Sequence, residues 1–385
     1  MKSIALVVIA YNRKDSLHRL LQSLDNAIYD EVSIPLYISI DKSNTDEVER
    51  FADEHSWRHG KKTVVKHERN LGLRAHVLEQ GRLLDEYDAI VILEDDLVVS
   101  PYFWTYTQQT VEKYFSCDNV AGISLYSFAV NYHLRSPFIP LHDGHDAYFM
   151  NCAMSWGQVW MKRQWKEFEQ WYKQHLDFPY MPTLPKSICS WSEKSWLKYH
   201  TRYCIETNKF FVFPYVSYTT NFSEPGTHIR KTDTIFQVPI LAGDMKNLRL
   251  PDIDNNSIKY DGWFENKALY DCLRLNESEC CLDLNSTNGN TMNKRYWLTT
   301  RRLPYKVLAN FGYTRRPIET NVLEGCQGLG IYLYDTTVKS HYPQNLGNPS
   351  YLTTHFIQNS FLFIRDYGFR NFFNDFIQLF KAKYL

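Results

Sequence analysis

The sequence predicts an α/β protein: a doubly wound, mostly parallel sheet with flanking helices, followed by a mostly helical C-terminal extension. Three observations carry this prediction. Short apolar runs alternate with segments of helical periodicity through the first 125 residues. The leading runs are continuously apolar, the pattern of parallel strands covered on both faces. Several of them also stop at a polar residue or cluster, as strands do where they open onto a ligand crevice.

The elements follow in order. Ile4–Ala10 is the first strand and halts at Tyr11-Asn12-Arg13. Leu17, Leu20, Leu21 and Leu24 recur at helical spacing behind Asp15, a residue suited to the helix start. Leu36–Ile40 is the second strand, ending at Asp41. Residues 46–55 read as a helix and 63–66 as the third strand, with Asn70 just beyond it. Residues 75–84 form the next helix and 89–93 the fourth strand, which stops at Glu94-Asp95-Asp96. Pro101 starts a helix that runs to Phe115, since proline at a first helical position loses no hydrogen bond. Residues 120–125 are the fifth strand. By fold rules alone, the polar residues at these strand ends line one crevice.

Composition narrows the function. The 385 residues carry 43 Lys+Arg against 43 Asp+Glu, a balance that argues against a dedicated nucleic-acid binder. The 27 Tyr, 23 Phe and 10 Trp suit sugar faces or a membrane interface as well as a core. Eight cysteines without a CxxC pair point to neither zinc nor a disulfide framework. The apolar run at the N-terminus is too short for an export signal or a membrane span, so a cytoplasmic location is expected.

Three later features stand out. Residues 126–230 are aromatic, with Trp156, Trp160, Trp165, Trp171, Trp191 and Trp196. Residues 252–283 hold eight acids and three bases, whereas 294–316 hold seven bases and no acid. These two stretches fit an internal ion-pair network or a docking surface for an anionic acceptor or lipid headgroups. Finally, Phe369, Phe372, Phe373, Phe376, Ile377, Phe380 and Tyr384 recur at helical spacing among polar and basic residues. That stripe either docks on the catalytic domain or makes 361–385 a membrane-surface contact.

The chemistry concentrates in Glu94-Asp95-Asp96. Three successive anions at the mouth of an apolar strand repel one another, and a hard divalent cation, Mn²⁺ or Mg²⁺, removes the conflict. Such an ion also bridges a diphosphate and neutralises it as a leaving group. A solvated acidic turn is the plain alternative.

The stretch Ile92-Leu93-Glu94-Asp95-Asp96-Leu97-Val98-Val99-Ser100-Pro101-Tyr102-Phe103 resembles the nucleotide-diphosphate-sugar site of GT-A glycosyltransferases. It is most similar to the N-acetylglucosaminyltransferase I type and to bacterial family-2-like transferases. Further segments resemble the same family in the same order. These are Val8-Ile9-Ala10-Tyr11-Asn12-Arg13, Arg69-Asn70-Leu71-Gly72-Leu73-Arg74-Ala75-His76, Ser155-Trp156-Gly157-Gln158-Val159-Trp160, Ser190-Trp191-Ser192-Glu193 and Gly226-Thr227-His228. The resemblance spans about residues 3–230. It implies a nucleotide-sugar-binding half over 1–125 and an acceptor and catalytic half over 126–230. Residues 231–385 form an extension of acceptor- or membrane-associating character.

The resemblance also implies roles. Asp96 is the metal ligand, with Glu94 and Asp95 near ribose and sugar. Asp41 holds the uracil edge, which favours a UDP-sugar. Tyr11, Arg13, Asn70, Gly72 and His76 line the nucleotide or diphosphate, and His228 lies near the nucleotide or metal. Arg13 as a surface residue and His76 as a packing residue remain open. An inverting transfer to a hydroxyl needs a general base opposite the leaving group. Glu193 takes that role, although Ser192 stands where the family has an acid directly after the tryptophan. Glu224 is the competing carboxylate on the acceptor side. Trp156 and Trp191 stack on a pyranose or belong to the core. The expected partner is a glycan or lipid-linked acceptor of bacterial surface polysaccharide. Three rivals stay open: a retaining transferase, a sugar-nucleotidyltransferase and a non-catalytic nucleotide-sugar binder. The nucleotidyltransferase is disfavoured because the turn after the first strand lacks glycine.

Overall fold

The continuous apolar run Ile4–Ala10 forms β1, with every residue buried. Its side chains alternate between two cores: Ile4, Leu6, Val8 and Ala10 face one, Ala5, Val7 and Ile9 the other. A strand flanked by apolar layers on both sides belongs at the centre of a sheet, and β1 lies there, parallel to β2 (Leu36–Ile40) and to β4 (Ala89–Glu94). The computed structural model describes residues 2–30, 33–222, 224, 234–244, 247–254, 256–288 and 294–343, together with positions 364, 368, 369, 373 and 377.

In chain order, β1 is followed by α1 (Lys14–Asp25), β2, α2 (Glu47–Glu54), β3 (Lys62–Lys66), α3 (Leu73–Glu79) with a 3₁₀ turn to Asp85, β4, β5 (Leu97–Val99), α4 (Phe103–Tyr114) and β6 (Val120–Ser124). A short hairpin, β7 (Val130–Asn131) and β8 (Ser136–Pro137), precedes β9 (Ala147–Met150), β10 (Gln158–Met161) and α5 (Lys162–Gln174). Then come α6 (Lys186–Cys189), α7 (Leu197–Thr207), β11 (Phe210–Pro214), β12 (Thr219–Asn221) and β13 (Lys259–Tyr260). The main sheet has the order β13-β9-β11-β6-β10-β4-β1-β2-β3. Apolar residues of α1, α2 and α4 join one core, and those of α3, α5 and α7 the other.

The predicted α/β class and its first five strands are present. Two differences matter. The segment 158–161 is a strand, β10, that runs antiparallel between β4 and β6, so the sheet is mixed rather than parallel throughout. The helix expected from Pro101 starts at Phe103 instead, because Ser100 forms a turn in which its Oγ accepts the Tyr102 N–H at 3.1 Å.

The chain divides into two compact units, residues 1–271 and 272–385. The first therefore extends past residue 230, since β13 completes the sheet edge. The second unit corrects the expectation of a mostly helical extension. Over its described residues it is built on β14 (Cys280–Asp283), β15 (Tyr296–Thr299), β16 (Tyr305–Phe311) and β17 (Ile331–Lys339) in the order β14-β15-β17-β16. Among the described residues up to 343, the short helices beside this sheet are the six-residue α8 (Ala268–Leu273) and the four-residue α9 (Thr320–Leu323). Tyr, Trp, Val, Ile and Thr dominate its strands, residue types that fit a pleated surface better than a helix.

The charged stretches pair partly with each other and partly elsewhere. Arg301 Nε lies 3.0 Å from the buried Asp283 carboxylate, joining basic to acidic segment, whereas Arg295 pairs with Asp335 and Arg315 with Glu324. Of the C-terminal stripe, Phe369 and Phe373 are exposed and stack on each other at 6.1 Å; its other phenylalanines lie outside the described residues. Among the described residues no helix is long and apolar enough to cross a membrane.

Candidate active site

Parallel pairing brings Ile9 level with both Ser39 and Glu94, so β1, β2 and β4 deliver their C-terminal ends to one edge of the sheet. The turn that joins β4 to β5 carries Asp95 and Asp96. It is clamped from two sides. The Phe222 N–H donates to the Asp96 carbonyl at 3.0 Å, extending the β5–β12 pairing. From the other side Arg13, the residue before α1, donates Nη2–H to Asp95 and Nη1–H to Asp96 Oδ2 at 3.2 Å. A backbone hydrogen bond from Tyr11 also reaches Asp95.

The electrostatics of this turn are out of the ordinary. Burial pushes the Glu94 carboxyl up to about 8, and the charges of Asp96 and Asp95 add to that, against opposition from Arg13 and a hydrogen bond with Trp196. Burial likewise raises Asp95, to about 6, with the Arg13 charge pulling the other way and Asp96 adding to the rise. For Arg13, burial alone would favour the neutral form; the attraction of Asp95 and Asp96 more than reverses it and holds the guanidinium charged. Asp95 and Asp96 thus share one guanidinium, with Glu94 beside them.

Among the described residues, Asp96 Oδ1 is buried without a hydrogen-bond partner. An orphaned carboxylate oxygen beside a partly exposed Oδ2 fits a hard divalent cation. Among the described residues no three His, Cys, Asp or Glu side chains converge as a cage. A divalent cation at this turn would be held by the Asp96 carboxylate and would depend on substrate oxygens and water for the rest of its ligands.

Asp41, at the end of β2, accepts N–H groups from Leu71 at 2.8 Å, Gly72 at 3.0 Å and Lys42 at 2.9 Å. Asn70 Nδ2 donates to the Lys42 carbonyl at 2.9 Å. Asp41 and Asn70 therefore shape the loop that leads into α3. Gly72 has φ +76° and ψ 155°, a conformation close to glycine-only backbone. His76 is buried and meets Ser39 Oγ at 2.8 Å, and burial lowers it to about 4. It packs against β2 from α3 as a neutral side chain.

The acceptor-side residues are placed as follows. The Glu193 side chain is 80% exposed and pairs at 2.9 Å with Lys198, whose own side chain is 1% exposed. Trp191 is half-buried, 5.8 Å from the Tyr132 ring. Trp156 packs between Tyr126 and Phe236. Glu224 receives hydrogen bonds from Ser16 and pairs with Arg19; burial would raise its pKa, but these two partners lower it overall. His228 lies outside the described residues. Sequence reasoning missed Trp196, which bonds Glu94, and missed Ser16 and Arg19 as partners of Glu224. Trp196 was visible only as a second tryptophan near Trp191, and the α1 partners left no local signal.

Residues 5–173 match the model of glycosyl transferase family 2. This stretch, less than half of the chain, is similar to family-2 glycosyltransferases. The matched stretch holds most of β1 through most of α5, hence Arg13, Asp41, the 70–72 loop and the acidic turn. No curated protein matches the chain. Among solved structures, Staphylococcus aureus TarS with UDP-GlcNAc is similar at 12% identity, over 60% of each chain, with a TM-score of 0.39. The Pyrobaculum calidifontis mannosyltransferase PcManGT, with GDP-Man and Mn²⁺, is similar at 13% identity over 56% of this chain and 57% of its own, TM-score 0.34. The chain thus spans less than two thirds of each.

Proposed function

We propose that this protein transfers a sugar from a nucleoside diphosphate donor, UDP above all, to a glycan or lipid-linked hydroxyl, with Mn²⁺ or Mg²⁺ held at Asp96. The observation that carries this is the acidic turn itself: a buried Asp95, half-buried Glu94 and Asp96, an Asp96 oxygen without a partner among the described residues and a guanidinium bridging Asp95 and Asp96, all at the carboxyl edge of the parallel strands. A bound cation would neutralise charge on the departing diphosphate. Arg13 supplies a planar fork suited to phosphate oxygens. Asp41 uses three of about four acceptor positions on backbone N–H groups, and the remaining one suits a uracil N3–H. Asn70 and Gly72 keep that carboxylate and its loop in place.

Glu193 is the proposed base of an inverting transfer. Its exposure leaves the carboxylate open to an incoming acceptor, and Lys198 fixes it at the start of α7. Trp191 and Trp156 are the aromatic surfaces for the acceptor sugar, while Glu224 acts by tying residues after β12 to α1. The test is a thermal-shift panel of UDP-, GDP-, CMP- and dTDP-sugars with and without Mn²⁺. Metal-dependent stabilisation by UDP-sugars supports the reading. An equal response to all four families, or none, contradicts it.

A further inference from the structure

The acidic turn already has a cation of its own. The Arg13 carbonyl accepts the Leu17 N–H at 3.0 Å, which anchors the residue at the start of α1, and its guanidinium bridges Asp95 and Asp96. It occupies Asp96 Oδ2 and leaves Oδ1 without a partner among the described residues. With Arg13 in place, a divalent ion arriving alone would put three positive charges against the two of Asp95 and Asp96. A diphosphate ester brings two further negative charges and a set of oxygens that a guanidinium fork binds well.

We propose that Arg13 is an internal counter-ion that keeps the divalent metal off the acidic turn until a nucleoside diphosphate arrives, then moves its hydrogen bonds from the carboxylates to the diphosphate. Metal and donor consequently bind as a pair. This rests on the donor-site reading above, and it makes Arg13 a positioning residue that sets the order of binding. Reciprocity requires that UDP tighten Mn²⁺ by the same factor by which Mn²⁺ tightens UDP.

The test is calorimetric titration of Mn²⁺ into wild type, Arg13→Gln and Arg13→Lys, each with and without UDP. Wild type is expected to bind Mn²⁺ weakly alone and much more tightly with UDP. Arg13→Gln is expected to bind Mn²⁺ alone at least about tenfold tighter than wild type, because a unit positive charge within a few ångströms is removed, and to gain less from UDP. Should Arg13→Gln not fold, Arg13→Lys serves: an ammonium cannot span both carboxylates as the fork does, so Mn²⁺ alone binds about threefold tighter. Wild type that binds Mn²⁺ with UDP, beside folded variants that bind Mn²⁺ alone no tighter than wild type, overturns the proposal and leaves the donor site standing. Absence of Mn²⁺ binding by every protein, with UDP or without, removes the donor-site reading and this inference together.

Discussion

Replacing Glu94 by glutamine should stabilise the metal-free protein, and do so increasingly as pH rises. Glu94 sits against Asp95 and Asp96, and its carboxyl is raised from 4.5 to about 8, with burial the largest cause. The folded state therefore holds this proton more tightly than the unfolded chain does. Stability from Glu94 is complete below about pH 4.5 and is lost as pH climbs through 8, because folding must then bury an anion. At 1.36 kcal/mol per pH unit, the window corresponds to a ceiling of about 5 kcal/mol. Arg13 and rotation of the carboxylate toward solvent bring the expected loss to about 2–3 kcal/mol. Glutamine keeps the shape and the acceptor for Trp196 but has no proton to lose. Denaturant or thermal unfolding in EDTA from pH 5 to pH 9 gives the answer. Wild type should lose stability across that range, and Glu94→Gln should show a visibly flatter profile with a higher melting temperature at pH 9. Parallel profiles for the two proteins would refute the claim that burial and its acidic neighbours hold the Glu94 proton.

Three further outcomes follow from the same geometry. Gly72→Ala should cost about 1–3 kcal/mol, because φ +76° with ψ 155° is strained for any residue with a Cβ; unfolding measures the loss, and UDP affinity should fall with it as the Asp41-bound loop shifts. Glu193→Gln should lower kcat by about 10²–10⁴ if this carboxylate takes the acceptor proton, with donor affinity unchanged by calorimetry; a fall in donor affinity at unchanged kcat would count against its role as base. Deleting 361–385 should reduce flotation with anionic liposomes if the phenylalanine stripe contacts membrane, and unchanged partitioning would remove that contact from the account.

The first 125 residues were readable because their strands are short apolar runs that end abruptly in polar residues. Ile4–Ala10 before Tyr11 and the run before Glu94-Asp95-Asp96 each announce both a buried strand and the edge where it opens. Residues 126–230 were less readable for physical reasons. β10 has only four residues and starts at the buried Gln158, so neither its length nor its pattern identifies an antiparallel insertion. Trp196 meets Glu94, a contact made by how the start of α7 packs against Trp160 of the sheet. Glu224 pairs with Ser16 and Arg19 across more than 200 residues, and no local pattern encodes such a contact. The helical expectation for the C-terminal part failed over 272–343 because the phenylalanine stripe past residue 360 says nothing of the aromatic and β-branched strands that precede it.

The measurement that bears most directly on the central claim is a crystal of the wild-type protein grown with Mn²⁺ and UDP, read at the manganese absorption edge. One anomalous peak bonded to the Asp96 carboxylate and to the diphosphate is the predicted result. Manganese and nucleotide lodged away from the β4–β5 turn, with Arg13 still bridging Asp95 and Asp96, would contradict it.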